Sequence, residues 1–258
     1  MSLIHPTALI DSEAQLHETV SVGPYSIIGP GVEIGANTWI GPHVVINGPC
    51  RIGCDNRIFQ FCSVGEMPQD KKYANEPTRL EIGDRNVIRE GCTLNRGTIQ
   101  DQGLTRIGDD NWIMAYVHVA HDCMVGNRII LANNVALAGH VSVGDDAILG
   151  GFTLVHQFCA IGQHAFSAMG TAIGKDVPPY MMVSGNPVEV HGMNAEGLKR
   201  RGFGAERLSQ LRKAYKILYR SGLTLVDAKQ ALTELATDSE DVALLLDFLH
   251  KQTRGIAR

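Results

Sequence analysis

The stretch IHPTALIDSEAQLHETVSVGPYSIIGPGVEIGANTWIGPHVVINGPCRIG, Ile4–Gly53, places Ile4, Ile10, Leu16, Val22, Ile28, Ile34, Ile40, Ile46 and Ile52 on a strict six-residue period. A small or β-branched residue follows four positions after each of the first eight, at Ala8, Ala14, Val20, Ser26, Val32, Thr38, Val44 and Cys50, and Asn56 follows Ile52. The period continues through Ile58 and Val64 and resumes at Ile82, Ile88 and Leu94. It slips by one residue, runs from Ile107 to Ile161, is interrupted at Ser167 and closes at Ile173. A helical period of 3.6 drifts out of phase with six within two repeats, so no helix explains the pattern. Six-residue periodicity is the mark of a parallel β-helix, each hexapeptide a short strand plus a turn. Three hexapeptides close one triangular coil of 18 residues, with the apolar residue inside and glycine relieving the turn, as at Gly23, Gly35 and Gly41. Successive coils stack about 4.8 Å apart through parallel hydrogen bonds.

The chain has 258 residues and a formal net charge of −4, so whole-chain charge gives no sign of a nucleic-acid partner. The charge is unevenly spread. Residues 1–190 carry 11 Lys/Arg against 19 Asp/Glu, and residues 191–258 carry 12 against 8. The basic C-terminal part suits an acidic or phosphorylated partner. Five of six cysteines (Cys50, Cys62, Cys92, Cys123, Cys159) fall on the small inward position and read as core residues rather than ligands or disulfide partners. No signal peptide or membrane-length apolar run is present, and a reduced, cytoplasmic setting is expected.

The coil is expected over residues 1–186, with two excursions, near 66–80 (EMPQDKKYANEPTRL) and near 98–105. Excursions from a rigid solenoid are where function concentrates. Beyond Gly185 the period turns helical. Glu196–Tyr219, Leu225–Leu235 and Val242–Leu249 predict an α-helical domain over 187–258 that caps the open end of the prism.

Coil arithmetic gathers the histidines. Adding 18 to His121 gives Gly139, and adding 18 again gives Gln157. His121–Asp122, Gly139–His140 and His156–Gln157 should therefore stack on one edge, about 5 Å apart per coil. Two chemistries suit such a ladder. One is acyl transfer, with a neutral imidazole as general base and a glycine N–H meeting the oxyanion. The other is a zinc-bound hydroxide held by three histidines. Prism-shaped γ-class carbonic anhydrases pair histidines five residues apart on neighbouring faces, and that pair is lacking here.

HVAHDCMVGNRIILANN (from His118), LAGHVSVGD (from Leu137), VHQFCAIG (from Val155), PQDKKYANEPT (from Pro68), DVPPY (from Asp176) and NAEGLKRRGF (from Asn194) together resemble the bacterial UDP-N-acetylglucosamine O-acyltransferases over essentially the whole chain. The resemblance implies a mainly β fold, a left-handed parallel β-helix with a C-terminal α-helical domain, assembled as a homotrimer with sites between prisms. It implies transfer of a 3-hydroxyacyl chain from acyl carrier protein to the glucosamine 3-hydroxyl of UDP-N-acetylglucosamine, the first committed step of lipid A biosynthesis, with no cofactor and no metal. His121 would be the base, Asp122 its orienting partner and Gly139 the oxyanion donor. His140, Asp70 and Lys72 would contact the sugar, and His118, His156 and Gln157 would line the nucleotide and thioester region. Asn194, Glu196, Arg200 and Arg201 would hold the nucleotide end, and basic tail residues would meet the acidic carrier protein. Met169 stands where relatives using long chains have small residues. It is expected to act as a ruler that shortens the donor to about ten carbons, each excluded methylene forfeiting about 0.8 kcal/mol. The related N-acyltransferase of the same pathway carries an extra N-terminal domain, for which a repeat starting at Ile4 leaves no room. An inert trimeric scaffold leaves the stacked histidines and the Asp70 loop unexplained.

Overall fold

The computed structural model describes residues 3–252 and 254–258. Among them the strands form three parallel sheets, the faces of a left-handed triangular prism. Sheet I has nine strands, from Leu9–Ile10 to Ala172–Ile173. Sheet II has eight, from Gln15–Leu16 to Ala160–Ile161. Sheet III has ten, from Ser21–Val22 to Glu189–Met193, the last running antiparallel. Register follows the 18-residue coil, as in Leu9 against Ile27 and Ala136 against Leu154.

The periodic residues fill the prism: Ile40, Ile46, Ile58, Ile88 and Leu137 are completely buried. Burying each such side chain contributes about 1.5–3 kcal/mol, so two-residue strands suffice when stacked. The small inward position serves the corners. There Ser26 Oγ donates to Gly41 O at 2.7 Å and Thr38 Oγ1 to Gly53 O at 2.9 Å, so these buried hydroxyls are satisfied. The five inward cysteines are buried, and Cys54 is only partly so.

The outer faces differ. Sheet III turns Trp39, Val87, Trp112, Ile130, Ile148, Phe166 and Met182 outward, none of them fully buried. Sheet I shows Leu9, Ile27, Val45, Ala136, Leu154 and Ala172, with Ser63, Thr93 and His118 midway along it. Sheet II instead presents Gln15, Glu33, Arg51, Glu81, Arg106 and Ser142. The corner between sheets III and I is aromatic, with Tyr25, His43 and Phe61 stacked at 5.2 and 5.6 Å and Tyr116 and Phe152 further along.

The first excursion is narrower than the sequence predicts, and the second is shifted two residues toward the N-terminus. Glu66 and Arg79–Leu80 are strand residues, which leaves 67–78; Leu104–Thr105 are strand residues too, which leaves 96–103. The helix predicted over Glu196–Tyr219 is two: α1 (Ala195–Arg200) and α2 (Ala205–Arg220). Gly202, at φ +83°, and Gly204 break it. Two more helices follow, α3 (Leu225–Ala236) and α4 (Glu240–Lys251), capped by the Thr224 and Ser239 hydroxyls. The expected boundary at 186/187 falls in the turn joining the last two strands of sheet III. The helices share a second core built on Leu208, Leu211, Leu232, Leu245 and Tyr180. Asp241 ties them to the prism: it takes two hydrogen bonds from Arg207, at 2.7 and 2.8 Å, and one from the Tyr180 hydroxyl at 3.2 Å. Helix α4 also lies along the outer face of sheet II, where Leu244 and Phe248 line a groove with Val143 and Ile161.

Candidate active site

Each excursion leaves sheet I and returns to sheet II, so both open at the same corner of the prism. The turns at 120–122, 138–140 and 156–158 stack at that corner. His140 N donates to His121 O at 3.0 Å and Phe158 N to Gly139 O at 3.2 Å. The column is therefore His121–Gly139–Gln157 in one row and Asp122–His140–Phe158 in the next. The second row is left-handed throughout, with φ of 59°, 62° and 65°. Phe158, absent from the residues the sequence singles out, stacks on His140 at 4.5 Å.

His121 Nδ1 lies 2.8 Å from Asp122 Oδ2, and both residues are buried. Asp122 is held from three sides. Thr98 N donates to Oδ1 at 2.8 Å, Thr98 Oγ1 donates to Oδ2 at 2.6 Å, and Asp122 N donates to Thr105 Oγ1 at 2.8 Å. Burial works against the charge on Asp122, yet the hydrogen bonds from His121 and Thr98 outweigh it and hold the carboxyl below its ordinary range. An ionised Asp122 requires a proton on His121 Nδ1, which leaves Nε2 as the free base. The ring packs directly against Gly139. A Cβ there would stand 2.5 Å from His121 Cε1 and 2.7 Å from Nε2, so only glycine permits this contact. Among the described residues no acceptor takes the Gly139 N–H.

His140 bridges to the excursion, its Nδ1 3.1 Å from Asp101 Oδ2 and its Nε2 3.7 Å from Asp122 Oδ2. His118 projects from sheet I, 2.7 Å from Thr93 Oγ1, and burial favours its neutral form. His118, His121, Gly139, Ala136, Leu154 and Gln69 line one depression of about 400 Å³. The Asp70 carboxylate accepts from Lys72 N at 2.9 Å, and the Lys72 side chain is exposed. His156 Nδ1 lies 3.2 Å from Arg254 Nη2, while Gln157 is exposed.

The other predicted residues lie on different corners. Arg201 pairs with Asp146 on the corner between sheets II and III, where Arg128 also binds Asp146 at 2.9 Å. Asn194 caps α1 and donates to His164 O on that same corner at 3.0 Å. Glu196 pairs with Lys199 at 2.6 Å, and Arg200 is exposed. Met169 sits on the corner between sheets III and I and is 80% exposed. Thr98, Thr105, Asp101 and Gln69 are site residues that coil arithmetic missed. They lie in or beside the excursions, where adding 18 no longer names a neighbour.

His121, Asp122 and His140 bring one ligating atom each within 4.8 Å of one another, the one group of this kind among the described residues. Both Asp122 oxygens already accept hydrogen bonds, and His121 Nδ1 is committed to one of them. That arrangement suits a proton-transferring pair better than a metal cradle.

A hexapeptide prism with a buried His–Asp pair packed on a glycine at one corner suits an acyltransferase of the hexapeptide-repeat class. The bacterial transferase hexapeptide family model matches residues 104–139, and the model for domain 2 of UDP-N-acetylglucosamine O-acyltransferase matches residues 176–257. An acyl-[acyl-carrier-protein]–UDP-N-acetylglucosamine O-acyltransferase of Thiobacillus denitrificans is 60% identical over 258 residues, covering all of both chains. The Stutzerimonas stutzeri protein of the same name is also 60% identical over all of both chains. The solved Acinetobacter baumannii structure superposes with a TM-score of 0.96 at 50% identity, covering 99% of this chain and 100% of that one. The Francisella novicida UDP-N-acetylglucosamine acyltransferase gives 0.98 at 43% identity, covering 99% and 94%. The chain belongs to the UDP-N-acetylglucosamine O-acyltransferase family.

Proposed function

We propose that this chain transfers a (3R)-3-hydroxyacyl group from acyl carrier protein to the glucosamine 3-hydroxyl of UDP-N-acetylglucosamine, the first committed step of lipid A biosynthesis. The carrying observation is His121, held 2.8 Å from an ionised Asp122 with its ring packed on Gly139. His121 Nε2 takes the proton of the sugar hydroxyl as that oxygen attacks the thioester carbonyl. The oxyanion of the tetrahedral intermediate meets the Gly139 N–H. Collapse breaks the C–S bond, and the proton on Nε2 passes to the departing thiolate. No acyl-enzyme forms. The base is worth about 10²–10⁴ in rate, and the oxyanion donor about 10²–10³. The decisive experiment is a transfer assay with UDP-N-acetylglucosamine and a graded series of 3-hydroxyacyl carrier proteins. Turnover peaking at about ten carbons supports reaction and chain length together. Failure of folded protein with every donor rejects the reaction, and a metal-dependent hydratase then becomes the reading to test.

A homotrimer is part of the proposal, supported by the character of the outer faces. The more apolar ones are those of sheets III and I, joined at the aromatic corner. Three prisms with that corner toward a common axis bury sheet III of one protomer against sheet I of the next. Each cleft then opens outward between the Asp146–Arg201 corner of one protomer and the His121 corner of its neighbour. This arrangement unites the sugar-side and nucleotide-side residues, and the Met169 corner closes the inner end. Co-expressing His121→Ala with Arg201→Ala chains is expected to restore about a quarter of wild-type activity, because a random mixture rebuilds one site in four from intact halves. Activity no higher than that of either variant alone would place both residues in a site within one chain.

A further inference from the structure

We infer that Thr98 is a positioning residue for the His121 base, delivered to the site by the 96–103 excursion. The inference rests on the acyl-transfer reading above.

A regular coil offers Asp122 nothing of this kind. Strand Thr93–Asn95 pairs with His118–Val119 at a spacing of 25 residues rather than 18, and the seven extra residues lengthen the corner into the 96–103 excursion. They fold back onto the corner, with Gly103 N donating to Thr98 O at 3.0 Å and Gly97 N to Arg79 O at 3.2 Å. Gly97 has no room for a side chain, since a Cβ would stand 2.2 Å from Leu104 N. The chain next to Thr98 is thus fixed by backbone contacts, and Thr98 itself is 1% exposed.

Thr98 meets Asp122 with two donors, one for each carboxylate oxygen, at 2.8 and 2.6 Å. Toward an ionised carboxylate a hydroxyl can only donate. The pair therefore fixes the rotation of the carboxylate plane and aims Oδ2 at His121 Nδ1. Asp122 has a left-handed backbone, and its side chain is short, so without Thr98 the carboxylate keeps only the imidazole it is meant to restrain and the longer 3.7 Å approach of His140 Nε2. Thr98 touches no reacting atom. Its effect is carried wholly through Asp122.

The test uses the full-length protein with saturating substrates. Thr98→Val and Thr98→Ala are expected to lower kcat about tenfold, the loss typical of one hydrogen bond to a charged group, with KM for UDP-N-acetylglucosamine within about twofold of wild type. Thr98→Ser keeps both donors and should stay within about twofold of wild type in kcat. Adding Thr98→Ala to Asp122→Asn should change kcat by less than about twofold, since the carboxylate that Thr98 aims is already gone. Any of three results overturns the inference: full activity in Thr98→Ala, a tenfold loss in Thr98→Ser, or an undiminished Thr98→Ala effect in the Asp122→Asn background. Wild-type transfer together with a dead His121→Ala variant secures the acyl-transfer reading independently, so a failure at Thr98 is distinguishable from a failure of the reaction.

Discussion

His121→Ala is expected to lower kcat by about 10³-fold while leaving KM for the nucleotide sugar within about twofold. The imidazole is the group packed on Gly139, with Nε2 2.7 Å from where a Cβ would stand. Stability should change little. Asp122 keeps both hydrogen bonds from Thr98 and the bond from its own N–H to Thr105, so no buried carboxylate is stranded. The checks are steady-state kinetics beside a thermal melt. A loss of activity accompanied by a large fall in Tm would mean that the ring is a structural support. Wild-type-like turnover would remove His121 from the chemistry and revive the inert-scaffold reading.

Met169→Gly carries the second large effect, on selectivity. Within one chain the side chain is 80% exposed and nothing holds it, so its removal should not disturb the fold. In the proposed trimer its consequence arises in the cleft between protomers, where the Met169 corner closes the inner end. If methionine excludes four methylenes, each worth about 0.8 kcal/mol, opening the floor shifts relative kcat/KM toward the longer donor by about 200-fold. The optimum should move from about ten carbons to about fourteen. Competition between the two donors, read as the product ratio for wild type and variant, measures this directly. An unchanged ratio would eliminate the ruler and leave the reaction standing.

The prism is legible in the sequence because its physics is local and repetitive. Each inward residue must fit a cross-section that hardly changes from coil to coil, so Ile40, Ile58 and Ile88 announce themselves by spacing alone. The same regularity puts Gly139 beside His121. Legibility stops where the repeat stops. Thr98 lies 24 residues before Asp122 because the excursion resets the count, and no periodicity ties the two. Phe158 escapes a reading centred on His156, although 18 added to His140 names it. The break between α1 and α2 is marked by Gly202 and Gly204, and a reading that follows only Leu208, Leu211 and Tyr215 passes over them. The Arg201–Asp146 contact joins the helical part to the prism, and a contact between unlike architectures has no shared period to betray it.

The two excursions at one corner have an evolutionary consequence. In a stack of coils each corner is a separate address: residues added at one lengthen the chain without moving the other two, and Leu94 still faces Val119 across the seven-residue detour. Variation at the corner that carries the proposed site is thereby uncoupled from variation on the faces that the proposed trimer would bury. A lineage can retool its substrate pocket by editing a corner loop while selection keeps the remaining faces fixed, a modularity that a single-cored globule does not offer.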